Sequence, residues 1–280
     1  MSMELQAVIN ATTFFSLPDV YLRLKNILDD PDFAMAEVAV VISHDPSITL
    51  RLLRMVNSSF YGFTQTIDTV SRAIMLLGVQ QIHDIVLATS VAETFKGMSS
   101  EVMDVGRFWR CSVYCAVACR QLAILCGACD KEKLFVAGLL HDIGHLAMYQ
   151  ALPETCQQAL FSAQKTRQPL FQIEQKLLGF DYAHIGAHII EQWHLSETFK
   201  ETTGYQVMPE KAEQFPLETA LVHLGAMMTK ADDGEGAFNE GALTVHPAAW
   251  EISKLSQEDC ISLCGEIDKD VRVAMECIFT

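Results

Sequence analysis

The sequence predicts an all-α, multi-helical protein. Apolar side chains recur at spacings of three and four residues along most of the chain, which is the period of an amphipathic helix. No segment shows a convincing strand, and no internal repeat recurs at a fixed period. Because half of the 280 residues are hydrophobic, the chain can bury a substantial core.

The first part of the chain is predicted to form short helices joined by abrupt turns. The segment LPDVYLRLKNILDD places four apolar residues on one helical face, namely Val20, Leu24, Ile27 and Leu28. HDPSITLRLLRMV begins with Asp45, a residue that can cap a helix, and with Pro46, which suits the first helical turn. TVSRAIMLLG ends at Gly78, and VQQIHDIVLATSVAETF begins directly after it.

The polar stretch KGMSSEVMD, from Lys96 to Asp104, is the best candidate for a boundary between two lobes. We predict an N-terminal helical lobe over residues 1–98 and a second lobe, with the C-terminal helices, over residues 99–280. The second lobe starts with a long helix from about Val105 to about Cys126. Next come a helix carrying His141 and further helices at Pro153, YAHIGAHIIEQW, FPLETALVHLGAMMTKA and EDCISLCGEIDKDVRVAMECIF.

The charge balance limits the partners that the protein can bind. The formal net charge is −15, from 35 acidic and 20 basic residues. This excess disfavours a duplex nucleic-acid binder, whose affinity depends on neutralising phosphates. It equally disfavours an anionic membrane surface. We therefore expect no nucleic-acid partner and no membrane partner, although a local basic pocket could hold a small anion.

Several features favour a cytoplasmic location. The N-terminus, MSMELQAVIN, lacks a basic start and a long apolar run, so we expect no signal peptide. The most apolar long stretch, Cys111 to Cys129, is interrupted by Arg120 and Gln121 and is typical of a buried helix. The nine cysteines are an odd number scattered along helical runs, which indicates free thiols in a reducing compartment.

The cysteines allow two interpretations. Cys111, Cys115 and Cys119 share one helical face, and Cys126 and Cys129 form a C-x-x-C pair. Thiolates at these spacings could hold a metal, but no second C-x-x-C supports such a site. The alternative is that these small apolar side chains pack a helix.

The histidines are the candidates for chemistry, because no phosphate-binding loop, dinucleotide fingerprint or nucleophile elbow is present. His141 and His145 lie four residues apart on one predicted helix, and His184 and His188 do so on another. Two such pairs could in principle form a four-histidine metal site. For His184 and His188 a polar, partly exposed helix face is the competing interpretation.

The segment GLLHDIGHLAMY, which contains His141 and Asp142, resembles the HD superfamily of metal-dependent phosphohydrolases. The stretch VISHDPSITLRLLRMVNSSFYGFTQTIDTVSRAIMLLGVQQIHDIVLATSV is similar to the HDOD domain, the HD-related output domain of bacterial signalling proteins. LLGFDYAHIGAHIIEQWHLSE continues the resemblance, which covers about residues 15 to 230. It implies an HD-like helical lobe packed against the N-terminal lobe.

The resemblance also implies a metal shell of several helices, most of which is replaced in this chain. Cys111, Tyr182, Gln206 with Val207, and Ala226 stand where the family patterns often carry histidines and the late aspartate. His145 stands where a lysine often follows HDIG. Of the expected ligands His141 and Asp142 remain, so we predict a degenerate metal site in which this pair is a structural remnant.

Three functions follow as expectations. The first is a non-catalytic signalling or scaffold module without a cofactor, acting on signalling proteins in trans and able to form a homo-oligomer. The second is a divergent phosphohydrolase acting on phosphoesters or nucleotides with Mn, Fe, Zn or Mg, using His141, Asp142 and either Cys111 or His145. The third is a ligand sensor in which Arg107, Arg110 and His141 face a small anion, although both arginines also suit a solvated helix face.

Overall fold

The computed structural model describes residues 2–13, 15–95, 98, 100, 102–127, 130–232 and 238–279. Over these residues the regular elements are helices, and the extended pairing seen is an isolated bridge between Asp232 and Phe238, so the all-α prediction is confirmed. The α-helices are α1 (Met3–Thr12), α2 (Asp19–Leu28), α3 (Met35–Ser43), α4 (Pro46–Val56), α5 (Val70–Leu77), α6 (Val79–Thr94), α7 (Val105–Cys126), α8 (Lys131–Leu140), α9 (Ile143–Ala151), α10 (Pro153–Thr166), α11 (Leu170–Leu178), α12 (Tyr182–Gln192), α13 (Glu197–Tyr205), α14 (Pro216–Ala231), α15 (Pro247–Ser253) and α16 (Gln257–Phe279). Two short 3₁₀ helices span Pro209–Lys211 and Glu240–Ala242.

Contacts within the chain form two compact units. The first unit contains Met1–Phe15 and Met98–Cys264, and the second contains Ser16–Gly97 and Gly265–Thr280. Each unit is therefore assembled from two separate stretches of sequence, and α16 contributes to both. The lobe boundary between residues 98 and 99 stays a prediction. Part of the segment that suggested it, Lys96, Gly97, Ser99 and Glu101, lies outside the described residues.

The long helix α7 forms the core of the first unit. Its side chains from Ser112 to Ala123 are buried in an unbroken run, and it packs against α8 and α14. The contact with α8 is close enough to require glycine, because a Cβ at Gly138 would lie 2.7 Å from the Cα of Ala116. α12 packs against both α9 and α13. These contacts bring α8, α9, α12 and α14 together, and these helices carry the candidate site.

The second unit is built around α6, which is buried continuously from Asp84 to Ala92. A series of hydrogen bonds between polar side chains links α2 to α6. The hydroxyl of Tyr21 donates to Nε2 of His83 at 3.0 Å, and Nδ1 of His83 donates to Oδ1 of Asp84 at 2.9 Å. Burial, and then the charge of Asp84, raises the pKa of Tyr21, which keeps the phenol protonated as a donor.

The predicted helix boundaries are largely confirmed. The side chain of Asp45 caps α4 by accepting from the backbone N–H groups of Ser47 and Ile48, and Pro46 occupies the first turn. α5 ends and α6 begins at Gly78, whose positive φ of 87° suits glycine. Among the described residues no helix is both long and apolar enough to cross a bilayer.

Candidate functional site

His141 and Asp142 form the turn between α8 and α9, so the single helix predicted to carry His141 and His145 is wrong. α8 ends at Leu140, and α9 begins at Ile143. The N–H of His145 bonds to the carbonyl of Asp142, and the carbonyl of His141 instead accepts from the side-chain amide of Gln206. A partner from beyond α13 thus satisfies the carbonyl that the helical break leaves open.

The His141 and Asp142 side chains are paired with each other. His141 is buried, its Nδ1 donates to the carbonyl of Gly138 at 2.7 Å, and its Nε2 lies 3.3 Å from Oδ2 of Asp142. Burial alone lowers the pKa of His141, but the adjacent carboxylate outweighs this effect and raises it. Burial likewise raises the pKa of Asp142, but His141 lowers it further. The pair is therefore an ion pair held by its own opposite charges.

His145 is held between two tyrosine rings. Its ring centroid lies 5.0 Å from that of Tyr149 and 3.9 Å from that of Tyr182, and both pairs are stacked. Its Nδ1 is 3.9 Å from Oδ1 of Asp142, and its Nε2 is 3.7 Å from Oε1 of Glu174. The imidazole therefore lies between two carboxylates and two tyrosine rings.

Glu174 is a member of this cluster that the sequence interpretation missed. It is fully buried on α11, and its Oε2 accepts from the backbone N–H of Tyr182 at 3.1 Å. Among the residues that the structure describes, its Oε1 has no hydrogen-bond partner, and the same is true of Nε2 of His145, which faces it. The available signal was a glutamate next to Ile173 on the apolar face of α11, but only the fold reveals its partner.

The remaining positions of the expected metal shell do not supply further ligands. Ala226 is buried and has no ligand atom, and Gln206 donates its amide to His141. Burial raises the pKa of the Cys111 thiol, and the charge of Asp142 adds to this effect, so the thiolate is disfavoured. In the described ranges no group of three or more His, Cys, Asp or Glu side chains is placed to hold a metal. The residues present therefore do not fit the metal centre that the HD resemblance implies.

The second histidine pair lies elsewhere on α12. His184 has a side chain that is 52% exposed, and its Nδ1 lies 2.8 Å from Oδ1 of Asp181, the residue that caps α12. His188 is half-buried. Among the described residues no group of three or more possible metal-binding side chains includes these histidines, and the exposure of His184 is consistent with the interpretation of a partly exposed helix face.

The cysteines and arginines make local contacts. Cys115 and Cys119 are buried with their sulfur atoms 3.8 Å apart, consistent with helix packing. Cys129 of the C-x-x-C pair lies outside the described residues. Nη1 of Arg110 pairs with Oδ2 of Asp232 at 2.8 Å, whereas Arg107 is exposed. Arg110 is therefore already paired with a carboxylate.

His223 on α14 has both ring nitrogens occupied. Its Nδ1 donates to the carbonyl of Gln206 at 2.6 Å, and its Nε2 accepts from the backbone N–H of His246 at 2.9 Å. Burial is the main cause that lowers the pKa of His223, to about 4. The imidazole is therefore neutral. The lone pair on its Nε2 accepts the hydrogen bond from His246, so His223 cannot serve as a metal ligand.

Replacement of His223 by Gln is expected to remove an acid-dependent loss of stability. Because the pKa in the folded state, about 4, lies below the ordinary value of 6.5, the unfolded chain binds the proton first. The stabilisation is complete above pH 6.5 and is lost as the pH falls toward 4. Urea midpoints at several pH values should show wild type losing up to about 1.4 kcal/mol per pH unit relative to the variant.

A contrasting variant is His184→Gln. The hydrogen bond to Asp181 raises the pKa of His184, so its contribution is lost as the pH rises. If wild type and His223→Gln lost stability in parallel over the acid range, the buried neutral state of His223 would be contradicted.

The comparisons with known proteins agree with this architecture. The family model of the HDOD domain matches residues 15–209. A protein of Treponema pallidum (strain Nichols), named only as uncharacterized, is 21% identical over 228 residues. That match covers 80% of this chain and 44% of the relative, so the chain spans less than half of the length of this relative.

Three solved structures share the fold. An HDOD domain protein of unknown function from Geobacter sulfurreducens has a TM-score of 0.77 at 20% identity, over 99% of each chain. A protein of Shewanella amazonensis SB2B, whose name suggests a phosphohydrolase, has a TM-score of 0.76 at 21% identity, over 97% of this chain and 98% of the other. A protein of Marinobacter aquaeolei VT8, whose name suggests signal transduction, has a TM-score of 0.70 at 20% identity, over 98% and 65%. Identities this low establish the fold alone. The HDOD family model matches well over half of the sequence, and the chain therefore belongs to the HDOD family.

Proposed function

We propose that this chain is a non-catalytic signal-transduction or scaffold module of bacteria, in which His141 and Asp142 are the structural remnant of an HD metal site. The observation that carries the proposal is the incomplete donor set around this pair: in the described part of the chain, no third ligand is placed to share a metal with them. HD chemistry needs a metal that activates a water, and two side chains hold such a metal weakly.

The role of the pair in the proposed module is structural. The charges of His141 and Asp142 are paired, and Nδ1 of His141 bonds to the carbonyl of Gly138. These contacts satisfy the polar side chains at the turn between α8 and α9. The Marinobacter neighbour, whose name suggests signal transduction, supports a signalling role for the module as a whole. The partner is a signalling protein that acts in trans in the cytoplasm, with a homo-oligomer as a further form, and nucleic acid and membranes are not partners. The buried Cys115, Cys119 and Cys156 are free thiols, which suits a reducing compartment.

The rival proposal is a divergent metal-dependent phosphohydrolase. One observation favours it: Nε2 of His141 and Oδ2 of Asp142 lie 3.3 Å apart, a separation that two neighbouring ligands of one metal can have. The Shewanella neighbour, whose name suggests a phosphohydrolase, points the same way. This alternative needs Cys111 or His145 to complete the shell with Mn, Fe, Zn or Mg.

Elemental analysis of the tag-free protein separates the two proposals. We expect metal well below one ion per chain before and after incubation with manganese, iron or zinc, no difference in His141→Ala, and no metal-dependent turnover of bis(p-nitrophenyl) phosphate. Near-stoichiometric metal that disappears in His141→Ala, together with turnover that requires both His141 and Asp142, would establish the hydrolase instead.

A further inference from the structure

The first unit encloses a cavity of about 400 Å³ beside the His141–Asp142 turn. This volume lies in the range of roughly 300–1,000 Å³ that is usual for small-molecule sites. Most of its wall is apolar and comes from several separate segments, with Leu170 and Phe171 of α11, Val207, Met227 of α14 and Val245. A ligand that fills it must therefore have a largely apolar body.

The polar groups at the cavity wall are mostly engaged within the protein. Asp142 is paired with His141, and His145 lies between Asp142 and Glu174. Both nitrogens of His223 are used in hydrogen bonds. Nε2 of His145 lacks a hydrogen-bond partner in the described part of the chain, but the Glu174 carboxylate lies 3.7 Å from it, so an anion placed there would meet repulsion.

Lys230 is different. It follows His223 and Met227 on α14 at helical spacings of four and three residues, so the three side chains share the face that borders the cavity. Lys230 is exposed, and within the described residues its ammonium group makes no direct hydrogen bond or ion pair, although its charge helps to lower the pKa of Asp142. An ammonium group beside an apolar cavity that no carboxylate contacts directly is placed to receive an anion.

The charge at the cavity also limits the anion. Lys230 is the only lysine or arginine among the described lining residues, and the Asp142 carboxylate lies on the same wall. A second negative charge on the ligand would therefore meet repulsion from Asp142 without a second cation to offset it. A triphosphate or another multiply charged ligand does not fit this arrangement, whereas a single carboxylate, sulfonate or phosphate monoanion does.

We propose that this cavity binds a small amphipathic monoanion, with its apolar body among Leu170, Phe171 and Met227 and its anionic group on Lys230. The inference deepens the proposed function and rests on it to this extent: a non-catalytic module that binds such a ligand would be a sensor. The binding site itself is defined by the cavity and Lys230 and requires no metal.

Two fluorescent probes of similar shape test the proposal. 8-Anilinonaphthalene-1-sulfonate carries one negative charge, and N-phenyl-1-naphthylamine has nearly the same aromatic body without the charge. We expect the sulfonate to bind wild type saturably and Lys230→Met about tenfold or more weakly, because a charge-assisted contact is lost. The neutral probe should bind both proteins equally.

Matched variants complete the experiment. Lys165→Met removes another exposed positive charge, from α10 and away from the cavity lining, and should leave both affinities unchanged. Met227→Trp fills the cavity and should weaken both probes. Equal affinity of the sulfonate for wild type and Lys230→Met, or binding that persists in Met227→Trp, would overturn the proposal. Metal-dependent turnover with an intact Lys230 effect would overturn the proposed function alone.

Discussion

Replacement of Gly144 by Ala is expected to destabilise the first unit by about 3 kcal/mol or more, a severe case of overpacking. Gly144 lies in the first turn of α9, where this helix meets α12. A Cβ built on it would lie 1.9 Å from the carbonyl oxygen of Tyr182 and 2.6 Å from the amide nitrogen of Gly186. Both neighbours are backbone atoms, so no side-chain rotation relieves the clash, and α9 and α12 must move apart. A lower urea midpoint by circular dichroism measures the effect.

Gly265→Ala is the matched control for this substitution. Gly265 is also helical, but a Cβ there meets nothing within 4 Å. Alanine has the higher helix propensity, so this variant should be unchanged or up to about 1 kcal/mol more stable. If Gly144→Ala had the same urea midpoint as Gly265→Ala, the close contact of α9 with α12 would be refuted.

The local features of the fold could be predicted from the sequence because their causes are local. Apolar spacing along the chain predicts helices, and Asp45, Pro46 and Gly78 mark helix ends through caps and turns that depend on their immediate neighbours. The break between α8 and α9 has a different cause. It depends on Gln206, which lies 65 residues away in the sequence and satisfies the carbonyl of His141. No periodicity within GLLHDIGHLAMY contains that information.

The candidate site, too, could be predicted from the sequence only in part. The sequence identifies His141 and Asp142 as an unusual pair, and the family patterns identify the replaced positions around them. The environment of His145 could not be predicted, because its tyrosine neighbours come from α9 and α12 and its second carboxylate, Glu174, comes from α11. The cavity and Lys230 were likewise missed. Lys230 lies in the last turn of the apolar helix α14, as many solvated lysines do, and only the assembled cavity walls place it beside an apolar volume.

The second large effect is expected at the buried ion pair between α7 and α8. Nε of Arg120 lies 3.2 Å from Oε1 of Glu132, with the side chains only 6% and 2% exposed. Arg120→Met leaves the Glu132 carboxylate in the core without its guanidinium partner. Breaking such a pair costs about 3–5 kcal/mol, because the remaining charge stays buried without its ion-pair partner. A urea titration followed by circular dichroism should show this loss, and Glu132→Leu should show a similar one.

The double variant tests the mechanism, since removal of both charges leaves no buried ion to compensate. Arg120→Met with Glu132→Leu should therefore recover most of the stability that either single change loses, giving a strong favourable coupling in the double-mutant cycle. Lys200→Met is the control, because it breaks an exposed pair with Glu191 and should shift the urea midpoint little. Additive losses in the double variant would show that Arg120 and Glu132 act through separate contacts. The arginine that interrupts the apolar stretch of α7 would then serve some purpose other than joining α7 to α8.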